Sequence, residues 1–332
     1  MFKFNAKLLL TGSVFIGSSV FINANAIADT SITLDDIIVT ENRHSQSVDD
    51  SLASVTVITR QDIEKSAAKD LPSLLNRSAG FDLKPSGPYG KVSSLFLRGT
   101  NSNHLLTLVD GVKLYSASSG GSAFQHIPLN QVERIEIVRG PRSSLYGSEA
   151  IGGVIQIFTR KGTQKTSAST NIGAGSNKSK EISASFSGGT EKANFSLSAR
   201  HFKTDGIDAI FHTTANDDDG YENDSMSAQF GYQFNQEISF QSSFMNAQGN
   251  SRYDNCLNSS YTSSDNCDSD FVQQVFSSSL KFTPDSIWDG QLQLGRSRDL
   301  DDNFWESTQN YTFETEREEI SFINSLQFTD QQ

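Results

Sequence analysis

The residues best placed to do chemistry in this sequence are aspartates. Asp205 and Asp208 precede a polar stretch that ends in Asn216-Asp217-Asp218-Asp219-Gly220, and Asp254, Asp265, Asp268 and Asp270 crowd a second one. Carboxylate oxygens converging from flexible loops are what a hard cation such as calcium takes. Without a cation, that many like charges on adjacent loops repel. A solvated acidic surface is the competing reading. The spacing Asp217-x-Asp219-Gly220 lacks the downstream glutamate pattern of an EF-hand. Other chemistries find no footing. His44, His104, His126, His201 and His212 are scattered and suggest no catalytic set. There is no phosphate-binding glycine loop with lysine and no His-Glu-x-x-His pair. Serines are plentiful, yet none has a base paired to it by sequence. The expectation is a protein that is not an enzyme. A net charge of -12 argues against a nucleic-acid partner.

The elements that must position these aspartates follow an export signal. Lys3 and Lys7 open a basic start, an apolar stretch runs from Leu8 to about Phe21, and Ala24-Asn25-Ala26 is a small-x-small cleavage site. Residues 1–26 are therefore read as a signal peptide. Export to an oxidising compartment predicts that Cys256 and Cys267 form one local disulfide, with two free thiols as the alternative. Mean hydropathy is negative and no later stretch is apolar long enough to span a bilayer as a helix. A water-soluble secreted protein or a β-barrel membrane protein fits that pattern.

Two textures follow. Residues 45–162 mix α and β signals. Val55-Thr56-Val57-Ile58 reads as a strand, Thr59 caps a short helix starting at Arg60, and Asp70 caps another with Pro72 in its first turn. Leu105-Leu106-Thr107-Leu108-Val109 and Val112-Lys113-Leu114 flank Asp110-Gly111, a strong two-residue hairpin signal. Ile135-Glu136-Ile137-Val138 and Val154-Ile155-Gln156-Ile157-Phe158 add two strands. From residue 163 to 332 the pattern is period-2 alternation: Ile182, Ala184 and Phe186; Phe195, Leu197 and Ala199; Ala228, Phe230, Tyr232 and Phe234; then sets ending with Ile320, Phe322, Leu326 and Phe328. Both a soluble sandwich and a membrane barrel alternate in this way. The connections favour the barrel, because tight turns at Gly188-Gly189-Thr190-Glu191 and Asn235-Gln236 trade places with long polar loops over about 204–224 and 248–270.

The fold class expected is an α+β plug followed by the first part of an antiparallel transmembrane β-barrel. About 8 strands fit the available length, whereas a barrel that holds a plug takes about 22. The expectation is thus a C-terminally incomplete barrel. Residues 27–44 stand apart from both regions. Within them Asp36, Ile37, Ile38, Val39 and Thr40 form a short β-prone run with no hairpin partner nearby, suited to pairing with the sheet edge of another protein.

Residues 35 to 162 resemble the plug domains of TonB-dependent outer-membrane receptors. The likeness is carried by Asp36-Ile37-Ile38-Val39-Thr40, by Leu97-Arg98-Gly99-Thr100, by Leu108-Val109-Asp110-Gly111-Val112, and above all by the block from Val132 through Arg139-Gly140-Pro141-Arg142-Ser143 and Tyr146-Gly147 to Ile155. Within the family the resemblance is greatest to cobalamin receptors, through Arg98-Gly99-Thr100-Asn101 with His104 and Tyr146-Gly147-Ser148. The resemblance implies a Gram-negative outer-membrane location in contact with its lipid, and TonB as the periplasmic partner, bound by strand addition to residues 36–40. It also implies cobalamin or a related corrinoid as cargo, with siderophores or haem as the alternative and a passive barrel or surface binding receptor behind them. Ser86, Tyr89, Tyr115 and Ser118, on two Gly- and Ser-rich stretches, would meet the cargo. Arg98, Arg139 and Arg142 would tie plug to wall. Asp208, Asp217, Asp219, Asp254 and either Asp268 or Asp270 would correspond to calcium-binding loop positions, with the Cys256–Cys267 link bracing the second loop, a departure from the family pattern.

Overall fold

The structure is a computed structural model that describes residues 38–39, 46–47, 54–116, 120–210, 218–258, 260–284 and 287–326. Asp36, Ile37, Thr40, Ser118, Asp217 and the proposed signal peptide lie outside the described residues.

Two short strands open the described chain, β1 (Ile38–Val39) and β2 (Gln46–Ser47), paired antiparallel with Ile38 opposite Ser47 and Val39 opposite Gln46. The expectation of a segment without a nearby partner is corrected here. The extended run at Ile38–Val39 meets the chain's own downstream backbone at Gln46–Ser47.

The plug is built from β3 (Ser54–Ile58), α1 (Arg60–Lys65), α2 (Leu71–Leu75), β4 (Phe81–Pro85), β5 (Ser93–Leu97), β6 (Leu105–Val109), β7 (Val112–Leu114), β8 (Val132–Arg139), α3 (Ser143–Tyr146) and β9 (Gly153–Thr159). Both first helices begin on capping boxes, Thr59 with Asp62 and Asp70 with Ser73, so their orphan N–H groups are bonded locally. Among the described residues a five-stranded sheet runs in the order β3-β8-β9-β6-β7, with β6 and β9 parallel and the other neighbours antiparallel. Every residue of β6 is buried, as a strand covered on both faces requires. Asp110 and Gly111 join β6 to β7 with φ of +47° and +82°, the left-handed pair that a two-residue hairpin demands. β4 and β5 form a separate hairpin whose tip, residues 86–92, rises toward the wall.

The second sheet consists, among the described residues, of eight antiparallel strands: β10 (Ser167–Ala174), β11 (Lys180–Gly189), β12 (Ala193–Thr204), β13 (Tyr221–Gln233), β14 (Ile238–Tyr253), β17 (Cys267–Phe282), β18 (Trp288–Trp305) and β19 (Thr308–Leu326). A minor ribbon of β15 (Cys256–Leu257) and β16 (Ser263–Ser264) fills the connection between β14 and β17. Burial separates barrel from sandwich. The polar faces are turned inward, with Ser183, Ser196, Ser198, Ser225, Ser227, Ser243, Ser277 and Ser297 buried. The apolar faces are turned out, leaving Ile182, Phe186, Leu197, Phe230, Phe276, Leu294, Ile320 and Phe322 exposed. A soluble sandwich does the reverse; a wall facing lipid does this. No helix among the described residues is long and apolar enough to cross a membrane.

The strands outrun the sequence expectation. β14 continues to Tyr253 and β17 starts at Cys267, so much of the stretch read as a loop over 248–270 is strand. The reason is compositional. Toward this end of the wall both faces are polar, and alternation of polar with polar gives no signal.

Candidate functional site

Where the plug hairpin meets the inner wall lies a cavity of about 620 Å³. The plug contributes Ser86, Lys91, Ser116, Gln125 and His126; the wall contributes Tyr253, Phe271, Gln273 and four aspartates, Asp219, Asp254, Asp299 and Asp301.

The hairpin tip is pressed against the wall so closely that only glycine fits at one point. Gly90 has φ +84°, and a Cβ there would fall 2.2 Å from Tyr221 Cδ2. Beside it, Lys91 is buried, and its ammonium donates to Asp219 O at 3.2 Å, Gly220 O at 3.0 Å and Ser251 Oγ at 3.1 Å. Burial pulls the Lys91 amine down to about 8, against the opposing pull of Asp219. His126 ends a short 3-10 turn and stacks on Phe271 with centroids 3.6 Å apart. Its Nδ1 lies 3.1 Å from Tyr221 Oη. Burial, then the Lys91 charge, pushes His126 down to about 3, so the imidazole is neutral.

The predicted cargo residues separate. Ser86 lines the cavity. Tyr89 does not. Its ring packs on Phe202 at 4.8 Å and Tyr221 at 5.5 Å, and it borders a second cavity of about 500 Å³ between the plug helices and β10–β12. An amphipathic ring beside a wall of aromatics gains more by packing than by facing water. Tyr115 is half-buried next to Ser116, which does line the first cavity.

The predicted metal residues separate as well. Asp208, Asp219 and Asp254 gather around one turn: Asp208 Oδ1 and Asp254 Oδ2 both accept from Ile210 N, at 3.0 and 3.1 Å, and Asp219 Oδ2 accepts from Ala209 N at 2.9 Å. Asp268 is not with them. It sits on β17 one residue from the buried Ser269, hence on the outward face, and shares Asn250 Nδ2 with Asp270, at 3.1 and 2.8 Å. The donors around the turn are all oxygen, which suits calcium. Their spacing is wider than an ion would hold them. Among the described residues the group whose ligand atoms all lie within 4.8 Å is His201, Glu222 and Asp224. That group faces outward, with His201 Nδ1 already 2.7 Å from Asp224 and Glu222 held by Lys203. Cys256 and Cys267 are joined by a disulfide across the β14–β17 connection, beside Asp254.

Sequence reasoning missed Asp299 and Asp301. Leu292 and Leu294 face outward on β18, so the same parity carried forward puts residues 299 and 301 inward. Plug-to-wall ties also differ from expectation. Arg139 stays within the plug, donating to Ala79 O at 2.9 Å and Thr56 Oγ1 at 2.7 Å. A reversed pair links the two layers instead, with Glu149 of the plug held by Arg317 of β19 at 3.1 Å and flanked by Lys113 at 3.8 Å.

A polar-lined, apolar-jacketed wall around an α+β plug, with a cavity at the plug apex, defines a plugged outer-membrane barrel receptor. Residues 47–154 match the family model of the TonB-dependent receptor plug domain, and the chain belongs to the TonB-dependent receptor family. Among its relatives is the vitamin B12 transporter BtuB of Vibrio cholerae, 35% identical over 282 residues, which cover 80% of this chain and 46% of that protein. BtuB of Photobacterium profundum is 30% identical over 299 residues, covering 89% and 48%. The chain thus spans about half the length of the curated relatives it matches. Among solved structures, the fold is shared with the siderophore receptor PirA of Acinetobacter baumannii (TM-score 0.61, 21% identity, 83% of this chain and 44% of that one). It is also shared with FpvA of Pseudomonas aeruginosa bound to pyoverdine (TM-score 0.70, 14% identity, 89% and 42%). The named relatives are transporters and receptors.

Proposed function

We propose that this chain serves TonB-dependent uptake of cobalamin or a related corrinoid across the outer membrane, and that it is not an enzyme. The observation that carries this reading is the 35% identity to a vitamin B12 transporter over 80% of the chain. The siderophore-receptor neighbours, at 14–21% identity, speak for fold alone.

Cargo enters the apical cavity between the plug hairpin and the acidic wall. Cargo binding shifts the plug ensemble so that residues 36–40 reach TonB in the periplasm. Ile38 and Val39 are already extended, paired with only two residues of β2. Exchange of that brief pairing for a TonB strand costs little and supplies backbone hydrogen bonds that depend weakly on side-chain identity. Calcium would be taken by Asp208, Asp217, Asp219 and Asp254, drawing the loops together over the cavity. Asp268 would join only by turning its strand end inward.

Ile38→Pro tests energy coupling, since proline removes a donor and blocks strand pairing. Cyanocobalamin uptake should fall to the level of cells lacking TonB, with surface binding retained. Undiminished uptake would refute coupling through this segment. Calorimetry with cyanocobalamin, with and without calcium, tests cargo and cation together. Heat with a ferric siderophore and none with the corrinoid would move the assignment to siderophore uptake.

A further inference from the structure

The apical cavity is unbalanced in charge and in hydrogen-bonding capacity. Four aspartates and one lysine line it, and no arginine does among the described residues. The Lys91 ammonium is directed at two backbone carbonyls and a serine of the wall. The imidazole of His126 is neutral. Asp299 and Asp301 stand on β18, three strands around the wall from β13, which Asp219 just precedes, or roughly 14 Å at the usual strand spacing. They are therefore remote from the turn where a calcium ion would sit.

A second observation concerns Gln273, on β17 beside Asp299 and only 1% exposed. Its Nε2 donates to Ala123 O at 3.2 Å and reaches Asp299 Oδ2 at 3.5 Å, which fixes the amide orientation. Its Oε1 is left without a hydrogen-bond partner. Asp301 receives the hydroxyl of Ser269. Asp299 receives the hydroxyl of Ser116 as well as the Gln273 amide, and two carboxylates with one unpaired amide oxygen still leave this sector with acceptor oxygens in excess of donors. A buried acceptor that stays unpaired is costly, so whatever fills the sector is favoured if it brings N–H groups.

We propose that the β17–β18 sector selects cargo by charge, admitting neutral or cationic cargo whose rim carries carboxamide-type N–H donors and rejecting the same cargo bearing a carboxylate there. The proposal deepens the corrinoid reading and rests on it, because the corrinoid periphery is rich in carboxamides. A carboxylate in place of one amide loses the donors and meets two like charges in a confined space.

The test uses the full receptor in detergent with calcium present and four probes: cyanocobalamin, a cyanocobalamin monocarboxylic acid, a cationic ferric trihydroxamate and a trianionic ferric tris-catecholate. At pH 7 the monocarboxylic acid should bind about tenfold more weakly than its parent amide, a difference of about 1.4 kcal/mol. In the Asp299→Asn/Asp301→Asn variant that ratio should shrink to about threefold or less. The ratio in the unaltered protein needs no variant, so a folding defect in the double substitution cannot rescue the idea. Equal affinity for amide and acid overturns charge selection and leaves the corrinoid reading standing. Binding of the cationic trihydroxamate with neither corrinoid nor tris-catecholate bound overturns the corrinoid reading and supports charge selection. Tight binding of the tris-catecholate, or binding of none of the four, overturns charge selection.

Discussion

Asp110 holds the plug together at one point where the wall also touches it. Its Oδ1 accepts from Thr159 N at 3.0 Å and its Oδ2 from Thr159 Oγ1 at 2.6 Å, joining the β6–β7 turn to the end of β9. Its backbone oxygen accepts from Ser277 Oγ at 2.9 Å and Gln293 Nε2 at 3.0 Å on the wall. Asp110→Ala removes two hydrogen bonds to an ionised acceptor and strands the N–H of a buried threonine, a loss of about 3 kcal/mol taken from the lower end of the range for half-buried charged bonds. Alanine in the left-handed region at φ +47° adds about 1 kcal/mol. Asp110→Gly removes the bonds without the backbone strain and should cost about 3 kcal/mol. Asp110→Asn keeps a residue tolerant of that conformation and one acceptor for Thr159 N, for about 1–2 kcal/mol. Hydrogen exchange of the β6 and β9 amides reads the series. Opening should rise by about a thousandfold for alanine, with glycine intermediate and asparagine least, at 1.4 kcal/mol per tenfold. Amides of β11–β13 are the internal control and should not change. If alanine and asparagine came within threefold of each other, the side-chain bonds to Thr159 would not be what secures this turn.

Glu149 makes a further test of plug docking. The hydrogen bond from Arg317, then the charges of Arg317 and Lys113, outweigh burial and hold its carboxyl below the ordinary 4.5. Its contribution is complete above that ordinary value and disappears as pH falls through the lower folded one. Exchange of residues around α3 should therefore be flat from pH 7 to 5 and accelerate below, after correction for intrinsic rates. Glu149→Gln should abolish that acid step, and an acid step that survives the substitution would assign it elsewhere. Double-mutant coupling with Arg317→Gln should be about 1–2 kcal/mol for a half-buried bidentate pair. At the apex, Gly90→Ala collides with Tyr221 at a positive φ and should weaken cargo binding at least about tenfold. Gly90→Ala/Tyr221→Ala should recover only the steric part. Unchanged binding in the single variant would mean the hairpin tip can stand off the wall.

Local chemistry was legible in the sequence where a residue acts on its near neighbours. Thr59 and Asp70 cap the helices they precede, and Asp110-Gly111 forms the tight hairpin, because caps and two-residue turns are decided within a few bonds of backbone. The parallel pairing of β6 with β9 left no such mark, since its partners come from distant parts of the chain with the β8 strand between them in sequence. Of the predicted loop aspartates, Asp208, Asp219 and Asp254 do meet around residues 208–210, while Asp268 is taken out of the group by strand parity. A one-residue offset in a strand reverses the face presented, so the resemblance that offered Asp268 or Asp270 carried no information on facing, and Asp299 went unnoticed.

The contacts between plug and wall are matched to a plug that must be held and yet be movable. Much of the inner wall is serine and glutamine, and several of these reach plug backbone oxygens: Ser277 and Gln293 to Asp110 O, Ser297 to Lys113 O, Gln273 to Ala123 O. Each such bond is worth about 0.5–1.5 kcal/mol net, because water offers the same partners once the surfaces part. Many weak, water-replaceable bonds hold a plug in register without a steep barrier to sliding, whereas a few buried ion pairs would set one. The Glu149–Arg317 pair is the exception, and it joins α3's flank to β19 rather than the hairpin tip to the cavity wall. Under a pull on β1, the serine-lined face over β14, β17 and β18 is therefore expected to part before the Glu149 side. The plug would tilt about that ion pair and open beneath the acidic cavity. Crosslinking Glu149→Cys to Arg317→Cys should then leave cargo release into the periplasm intact, whereas crosslinking Ala123→Cys to Gln273→Cys, on β17 beside the cavity, should block it; the opposite pattern would place the opening on the other side of the plug.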